Sequence, residues 1–369
     1  MRSNVQMRSQ SVPPGLEQPK LRRMKTLTSL SSRSDAFRAL KGKPLETLAR
    51  LGGHSFLELP QDFVPALLKL PVCFAATAGY LRCHCRQPSL HETRPVLSLT
   101  VGPTKAVNIR NLFFDPGDPK AAARIYDHFA NQVLMAEREG DKIQMTMRSN
   151  QIPLDLVETL KMDAPAQDPC HVLSVAWVFK ALLAGIPEGI LGSRVLYQVL
   201  VDISYGRPPY ISDGPAPRRP DGCLEGLSAW EDLLTRTIAL AILALTSKMH
   251  LELICGVFGL CDSLLHETRR EIEIAWWRSI RSKERRPSSW VAGLLDVDRL
   301  SRTLGPMLTN GAAEGEDFYN EVPSALKGER VVRMMLEQWR GVSRQLRWWE
   351  HCGCPPERIV LQPNEEERK

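Results

Sequence analysis

Apolar residues recur at three- and four-residue steps along much of the chain, a spacing that predicts helices with one buried face. The clearest case is the segment 171–186, whose apolar positions are Val172, Val175, Phe179, Leu182 and Ile186. Gly185 weakens the last turn of this pattern, and Pro187 cannot continue a helix without losing a backbone donor. A shorter helical pattern follows through Ile190, Val195, Leu196 and Leu200. The sequence therefore predicts a core helix that carries one charge, Lys180, then a proline turn and a second helix.

Apolar stripes of the same kind predict helices in three further regions, which are 68–84, 118–129 and 230–265, the last as a pair. Asp118 is suited to cap the helix in the second region, and Pro119 to fill its first position. In the segment 43–68, which precedes the first of these regions, Pro44 is expected to open one helix and Asp62 to cap another. We find no convincing pair of strands, so the pattern indicates an all-α fold.

The low-complexity segments suggest a single helical domain between two tails. Residues 1–45 are rich in Ser, Arg, Lys and Pro, which is typical of a disordered tail. The expected organisation is a helical domain over 46–345 with insertions near 85–106, 205–228 and 268–292, followed by a C-terminal tail over 346–369. The insertion near 268–292 contains a basic, Trp-bearing stretch, Trp276–Arg286, which is typical of an exposed helix and also of a membrane-surface or partner-binding helix.

Composition narrows the choice of function. The net charge of the 369 residues is +6, which is too mild to argue for nucleic acid. The nine cysteines, together with an N-terminus that lacks an apolar signal core, favour reduced thiols in a cytoplasmic protein. The most hydrophobic window, 238–260, contains Lys248, His250 and Glu252 and is expected to be buried rather than to span a membrane. The basic segments allow a second location, at the cell cortex or on an anionic membrane surface.

Metal and nucleotide chemistry have weak support in the sequence. The Cys83-His84-Cys85 run and the 351–354 run are spaced more tightly than structural zinc ligands usually are. The chain contains no Gly-Lys-Ser phosphate loop, so we do not expect it to be a GTPase itself. We expect no metal and no cofactor, and whether the chain takes part in catalysis stays uncertain.

The central helix and its turn resemble a known signature. The run K-A-L-L-A-G-I-P-E-G-I-L, residues 180–191, is similar to the central block of Rho GTPase-activating (RhoGAP) domains. Its lysine, the leucine before the family's usual arginine and the proline–glutamate pair are present. The usual arginine is replaced by Ala184 and the second proline by Gly189.

Four more blocks resemble this family, and all five stand in the family's order. Residues 68–84 are similar to its first helix, and residues 328–339 to its closing helix. The segment 108–129 is similar to the block that carries the family's catalytic arginine, with a fit at Leu112, Phe113 and Gly117. The segment 294–308 is similar to the last signature, with a fit at Leu300, Gly305, Pro306 and Leu308. The resemblance implies a RhoGAP-like bundle of about eight or nine helices and contact with a GTP-bound Rho-family small GTPase.

The resemblance also implies that three positions linked to GTPase contact have changed. Phe114 stands where the family has its arginine finger, Ala184 replaces a second arginine, and Arg299 replaces an asparagine. An arginine finger raises the rate of GTP hydrolysis by roughly 10³- to 10⁵-fold, or about 4 to 7 kcal/mol of barrier. A phenyl ring has neither the charge nor the donors of a guanidinium. Asp115, beside Phe114, would repel a nucleotide that it faced, whereas the contact lysine, Lys180, is retained.

Three functions are compatible with these residues. The expected one is binding of a Rho-family GTPase with GTPase activation weak or lost. The first alternative is an active GTPase activator that uses another group, such as a displaced Arg110. The second is a helical scaffold without GTPase contact, in which Lys180 is an ordinary charge at the edge of the core and Trp276–Arg286 carries the function.

Overall fold

The computed structural model describes residues 39–85, 109–139, 147–148, 152, 170–206, 224–282, 293–309 and 321–352. The expected disordered tail as far as residue 38 lies outside these ranges. So do the last residues of the expected C-terminal tail, 353–369, and most of the insertions expected near 85–106 and 205–228.

The described part of the chain is mostly helical, which confirms the all-α character expected from the sequence. It forms nine α-helices: α1 (Leu45–Gly52), α2 (Val72–Cys85), α3 (Pro119–Glu139), α4 (Cys170–Ala184), α5 (Arg194–Ser204), α6 (Leu224–Leu245), α7 (Lys248–Ser282), α8 (Val297–Leu304) and α9 (Glu321–Cys352). A 3₁₀ turn, Gly305–Met307, follows α8 directly. As expected, Pro44 precedes α1, and Asp118 caps α3 by accepting a hydrogen bond from the Lys120 amide, at 2.9 Å.

Two short strands interrupt the helical pattern, so the expectation of no strand pair is wrong. β1 (His54–Leu57) pairs antiparallel with β2 (Leu68–Pro71), and His54 lies opposite Pro71. The helix expected after Asp62 is also wrong, because the chain there forms a turn in which the Phe63 amide donates to the Pro60 carbonyl. Each strand has only four residues, which is too short for alternating burial to show in the sequence.

α4 lies at the centre of the fold. The apolar stripe expected on this helix is buried, and burial extends to every residue from 172 to 179. α2 and α3 both pack against α4, which explains why nearly all of its circumference is apolar. Lys180 lies at the end of this buried stretch and is only partly exposed.

The proline turn after α4 is hydrogen-bonded to the segment that follows α8. The Ile190 amide donates to the Met307 carbonyl at 2.9 Å, and the Leu191 amide to the Leu308 carbonyl at 3.1 Å. α5 then begins after Ser193, whose hydroxyl accepts from the Leu196 amide. The second helix expected from the sequence is thus confirmed, although Val195 is 57% exposed rather than packed.

α9 closes the bundle by packing against α5, α6, α7, α8 and the 3₁₀ turn. Its backbone meets the turn at two glycines, since a Cβ on Gly328 would lie 2.6 Å from the Gly305 carbonyl oxygen. A Cβ on Gly305 would lie 2.7 Å from the Glu329 amide nitrogen, so neither position has room for a side chain. The domain boundary expected at residue 345 falls inside α9, where Leu346 is buried.

α7 has a buried half and a projecting half. Its residues from Leu253 to Leu265 are buried in the core. From Arg269 onward, Ala275 is the one buried residue among the described side chains. The first part of the insertion expected near 268–292 is therefore a continuation of α7. The stretch Lys248–Trp277 is long and apolar enough to cross a membrane, but 72% of its most apolar window is buried inside the protein.

Candidate functional site

The Phe114 loop, defined here as residues 109–118, is anchored by its apolar side chains. Ile109, Leu112 and Phe113 are buried in the core. The amides of Phe114 and Asp115 both donate to the Asn111 carbonyl, at 2.8 and 2.9 Å, and form a tight turn. The side chains inside the core therefore fix the loop, while Phe114 itself is only half-buried.

The backbone of this loop is strained at Phe113, whose φ is +68°. Bulky residues rarely adopt this left-handed conformation, which costs roughly 1–3 kcal/mol and persists only where the surroundings enforce it. The ring of Phe113 is buried against that of Phe179 on α4, with their centroids 6.4 Å apart. Packing of this ring therefore helps to hold the strained turn.

Gly117 allows the loop to approach the first turn of α4 closely. A Cβ at this position would lie 2.3 Å from the Cys170 carbonyl oxygen, and its φ is +60°. Ser174, which is completely buried on α4, accepts a hydrogen bond from the Asp118 amide at 3.1 Å. The glycine that matched the family block thus has a structural role, in that it seats the loop on α4.

Lys180 holds the other side of the loop. Its ammonium group donates a 2.7 Å hydrogen bond to the carbonyl oxygen of Phe113. The same group lies 4.1 Å from the ring centroid of Trp177 and 6.0 Å from that of Phe114. Burial lowers the pKa of Lys180 to about 8, because the charged form loses water that these contacts replace only in part.

Arg299 connects the start of α8 to the same loop. One of its Nη atoms donates to the side-chain oxygen of Asn111 at 2.9 Å and lies 3.3 Å from the Gly293 carbonyl oxygen. Asp296 caps α8 by accepting from the Arg299 amide at 2.7 Å, and its carboxylate lies 3.8 Å from the Arg299 guanidinium. The Asn111 amide also donates to the Gly293 carbonyl, at 2.8 Å. The loop and α8 are therefore joined by both backbone and side-chain hydrogen bonds.

Phe114 lies between these two cations. The guanidinium carbon of Arg299 is 5.6 Å from its ring centroid, and the ammonium of Lys180 is 6.0 Å away. Both distances are within the range in which a cation is attracted to an aromatic face. The structure thus brings together three of the residues selected from the sequence, which are Phe114, Lys180 and Arg299.

The other selected residues surround this group. Ala184 is exposed one helical turn beyond Lys180 and has no polar side-chain group. Asp115 is exposed, and its carboxylate accepts a hydrogen bond from the Gly117 amide at 2.9 Å within the loop. Arg110 is exposed, and its side chain lies against Gly293. The arrangement gives Asp115 a role in the turn and places Arg110 beside the segment before α8.

Sequence reasoning missed three contributors to the site, which are Asn111, Trp177 and Gly293. Trp177 could have been found, because it lies three residues before Lys180 on the same face of a helix. Asn111 and Gly293 gave no signal, since their roles depend on contacts between segments distant in the chain. Two surface pockets, of about 330 and 590 Å³, are lined by other residues. Within the described residues, no group of three or more His, Cys, Asp or Glu side chains is placed to hold a metal ion.

The chain was also compared with known proteins. No family model matches it, no curated protein matches it, and no solved structure matches it.

Proposed function

We propose that this protein docks a GTP-bound Rho-family small GTPase through the surface around Phe114, Lys180 and Arg299, and that its power to stimulate GTP hydrolysis is impaired. In small-GTPase signalling such a molecule would act as a scaffold, as a localising module or as a competitor of true activators. Support comes from the order of the five RhoGAP-like blocks and from the convergence of their distinctive residues on one surface.

The observation that carries the proposal is the residue at the finger position. Phe114 stands on a fixed loop, half-buried between two cationic side chains, and it can donate no hydrogen bond to a phosphate. Catalysis of phosphoryl transfer depends on positive charge and donors at the transferring group. A loop of this geometry that carries a phenyl ring is suited to contact and unsuited to stabilise the transition state.

The neighbouring cations are already used within the chain. Lys180 donates to Phe113, and Arg299 donates to Asn111. To replace the finger, Arg299 would have to break its bond to Asn111 and move past Phe114. Arg110, which lies against Gly293, would have to leave that position. Since a catalytic group must be held within about half an ångström of its productive geometry, we propose that neither arginine restores full activation.

Binding and hydrolysis are measured together to test this function. The full chain is titrated against a panel of Rho-family GTPases loaded with GDP, with a non-hydrolysable GTP analogue, or with GDP and aluminium fluoride. We expect binding to the GTP-like form without faster hydrolysis. Binding strengthened by aluminium fluoride, together with faster hydrolysis, would show that another group acts as the finger. Absence of binding in every state would refute the docking proposal.

Lys180→Ala tests whether the proposed surface is the one used. If the ammonium contributes to docking, this variant weakens binding, whereas Lys327→Ala, an exposed lysine on α9, leaves it unchanged. Circular dichroism establishes that both variants are folded. Binding that is indifferent to Lys180→Ala would favour the scaffold alternative, in which this lysine is part of the fold alone.

A further inference from the structure

The projecting end of α7 carries a cluster of exposed apolar side chains. Trp276 is 58% exposed, Trp277 is 59% exposed and Ile280 is 50% exposed. The two indole rings lie against each other with their centroids 5.0 Å apart, in an edge-to-face arrangement. Large apolar side chains in water are costly unless a partner covers them, so a cluster of three such side chains marks a contact surface.

This cluster lies beyond the part of α7 that is buried in the core. Apart from Ala275, the described side chains of α7 are not buried after Thr268, and at 1.5 Å per residue this part of the helix extends about 20 Å to Ser282. The cluster lies in the last turns of this projection. None of the residues that form the Phe114 site belongs to α7, so an interaction here does not rest on the GTPase proposal.

The charge of the surrounding sequence selects the class of partner. Between Trp276 and Arg286 the chain has five basic residues, Arg278, Arg281, Lys283, Arg285 and Arg286, and one acidic residue, Glu284. Basic residues next to exposed tryptophans match a surface that is anionic outside and apolar beneath. An anionic lipid bilayer has both properties, and indole rings favour its headgroup region.

We propose that the projecting end of α7 binds the surface of an anionic bilayer, with Trp276, Trp277 and Ile280 entering the headgroup region. Arg278 and Arg281, which belong to the same two turns in sequence, add positive charge to this end of the chain. The helix does not cross the bilayer, because its apolar half is occupied inside the protein core. The contact is therefore peripheral and depends on both apolar area and charge.

A bilayer fits this surface better than a second copy of the chain does. A stable dimer buries about 800 Å² on each partner, far more than three side chains cover. Two copies that met through this helix end would also bring their basic segments together, which is unfavourable. A bilayer needs no such complementary surface and favours the positive charge.

Vesicle co-sedimentation of the full chain tests the proposal. We expect the chain to bind phosphatidylcholine vesicles that contain about 30% phosphatidylserine and to bind pure phosphatidylcholine far more weakly. The double variant Trp276→Ala/Trp277→Ala should lower the partition coefficient about tenfold. Trp348→Ala is the matched control, since Trp348 is 57% exposed and lies on a different helix, α9. It should leave binding unchanged.

Two further measurements distinguish binding to a bilayer from other uses of this surface. Raising the salt from about 0.1 M to about 1 M shortens the screening length from about 10 Å to about 3 Å and should release the chain from the vesicles. Brominated lipids should quench less tryptophan fluorescence in the double variant than in the Trp348→Ala control. Equal vesicle binding by the double variant and its parent would overturn the proposal, as would no binding to anionic vesicles. A dimer in light scattering that the double variant abolishes would assign the surface to a second copy instead.

Discussion

The Phe114 site and the projecting end of α7 use their functional side chains in opposite ways. At the Phe114 site, Lys180 and Arg299 are turned toward the chain's own loop and hold it in place. At the end of α7, Trp276 and Trp277 are more than half exposed to solvent, and their rings lie against each other. The first region contains residues that resemble the RhoGAP signature, whereas the second contains none of them. The contrast teaches that a residue selected by resemblance can serve the fold itself, while the more exposed surface lies on a segment outside that resemblance.

Of the changes predicted for these two regions, the substitution Phe114→Arg should have the largest effect. It places a guanidinium at the position proposed to correspond to the finger, on a loop whose backbone is already fixed by buried side chains. If the docking surface is intact, GTP hydrolysis by the bound GTPase should rise by about 10²-fold or more, because a finger supplies roughly 10³- to 10⁵-fold in an optimal site. Single-turnover hydrolysis measures the effect. Phe56→Arg is the control, since Phe56 is a partly exposed aromatic residue on β1.

No gain with Phe114→Arg, in a variant that still binds the GTP-loaded partner, would show that the surrounding geometry has also been lost. If Phe114→Arg neither speeds GTP hydrolysis nor binds the GTP-loaded partner, the GTPase-docking proposal is wrong. The end of α7 would then be the better-supported contact surface.

Independence of the two regions is the next prediction. Trp276→Ala/Trp277→Ala should cost about tenfold in vesicle binding and leave GTPase binding unchanged, because the two sites share no residue. Calorimetric titration of the same protein samples with vesicles and with a GTPase measures both. A parallel loss of both activities would show that the regions form one surface.

Lys180 gives a smaller effect that does not depend on any partner. Burial lowers its pKa to about 8 in the folded chain, whereas an unfolded lysine has a pKa near about 10.4. Between these values the unfolded chain binds more protons, so the free energy of unfolding should rise with pH through this window. After allowance for partial solvent exposure, we expect a gain of about 1 kcal/mol between about pH 8 and about pH 10.

Urea unfolding at the two pH values measures this change. Lys180→Met is the comparison variant, because it removes the titrating group while keeping the length of the side chain. If the stability of the parent and that of Lys180→Met depend on pH in the same way, the Lys180 ammonium is not buried as described.

Arg299→Ala should have the smallest effect. It removes the bond to Asn111 and the contact with Phe114, both near the surface, and should lower the free energy of unfolding by about 0.5–1 kcal/mol. Arg302→Ala, an exposed arginine on the same helix, should have no measurable effect. Thermal unfolding of the two variants measures the difference. Hydrogen exchange at the Asn111 and Phe114 amides should increase in Arg299→Ala alone, and equal exchange in both variants would exclude the proposed clamp.

Local chemistry made part of this fold predictable. The stripe on α4, the stop at Pro187 and the cap at Asp118 follow from spacing and from backbone donors within a few residues, and each of them is confirmed. The strand pair was missed because its strands are too short to show a period. The charged residues after Thr268 suggested an insertion, but as far as Ser282 they continue α7 as a largely exposed helix.

The candidate site was only partly predictable for a different reason. Its members could be selected by their resemblance to a signature, but their contacts join residues far apart in the chain, such as Lys180 with Phe113 and Arg299 with Asn111. Nothing local to Arg299 indicates that it clamps the Phe114 loop. The left-handed turn at Phe113 was equally hidden, because a bulky residue takes that conformation only when its surroundings impose it.

The contact between Gly305 and Gly328 restricts which residues either position can hold. At these two glycines the backbone of α9 passes directly over that of the 3₁₀ turn, with no space for a methyl group between them. A side chain at either position would unseat α9 from the 3₁₀ turn. Glycine at these two positions is therefore explained by the close backbone contact and is no evidence of GTPase chemistry.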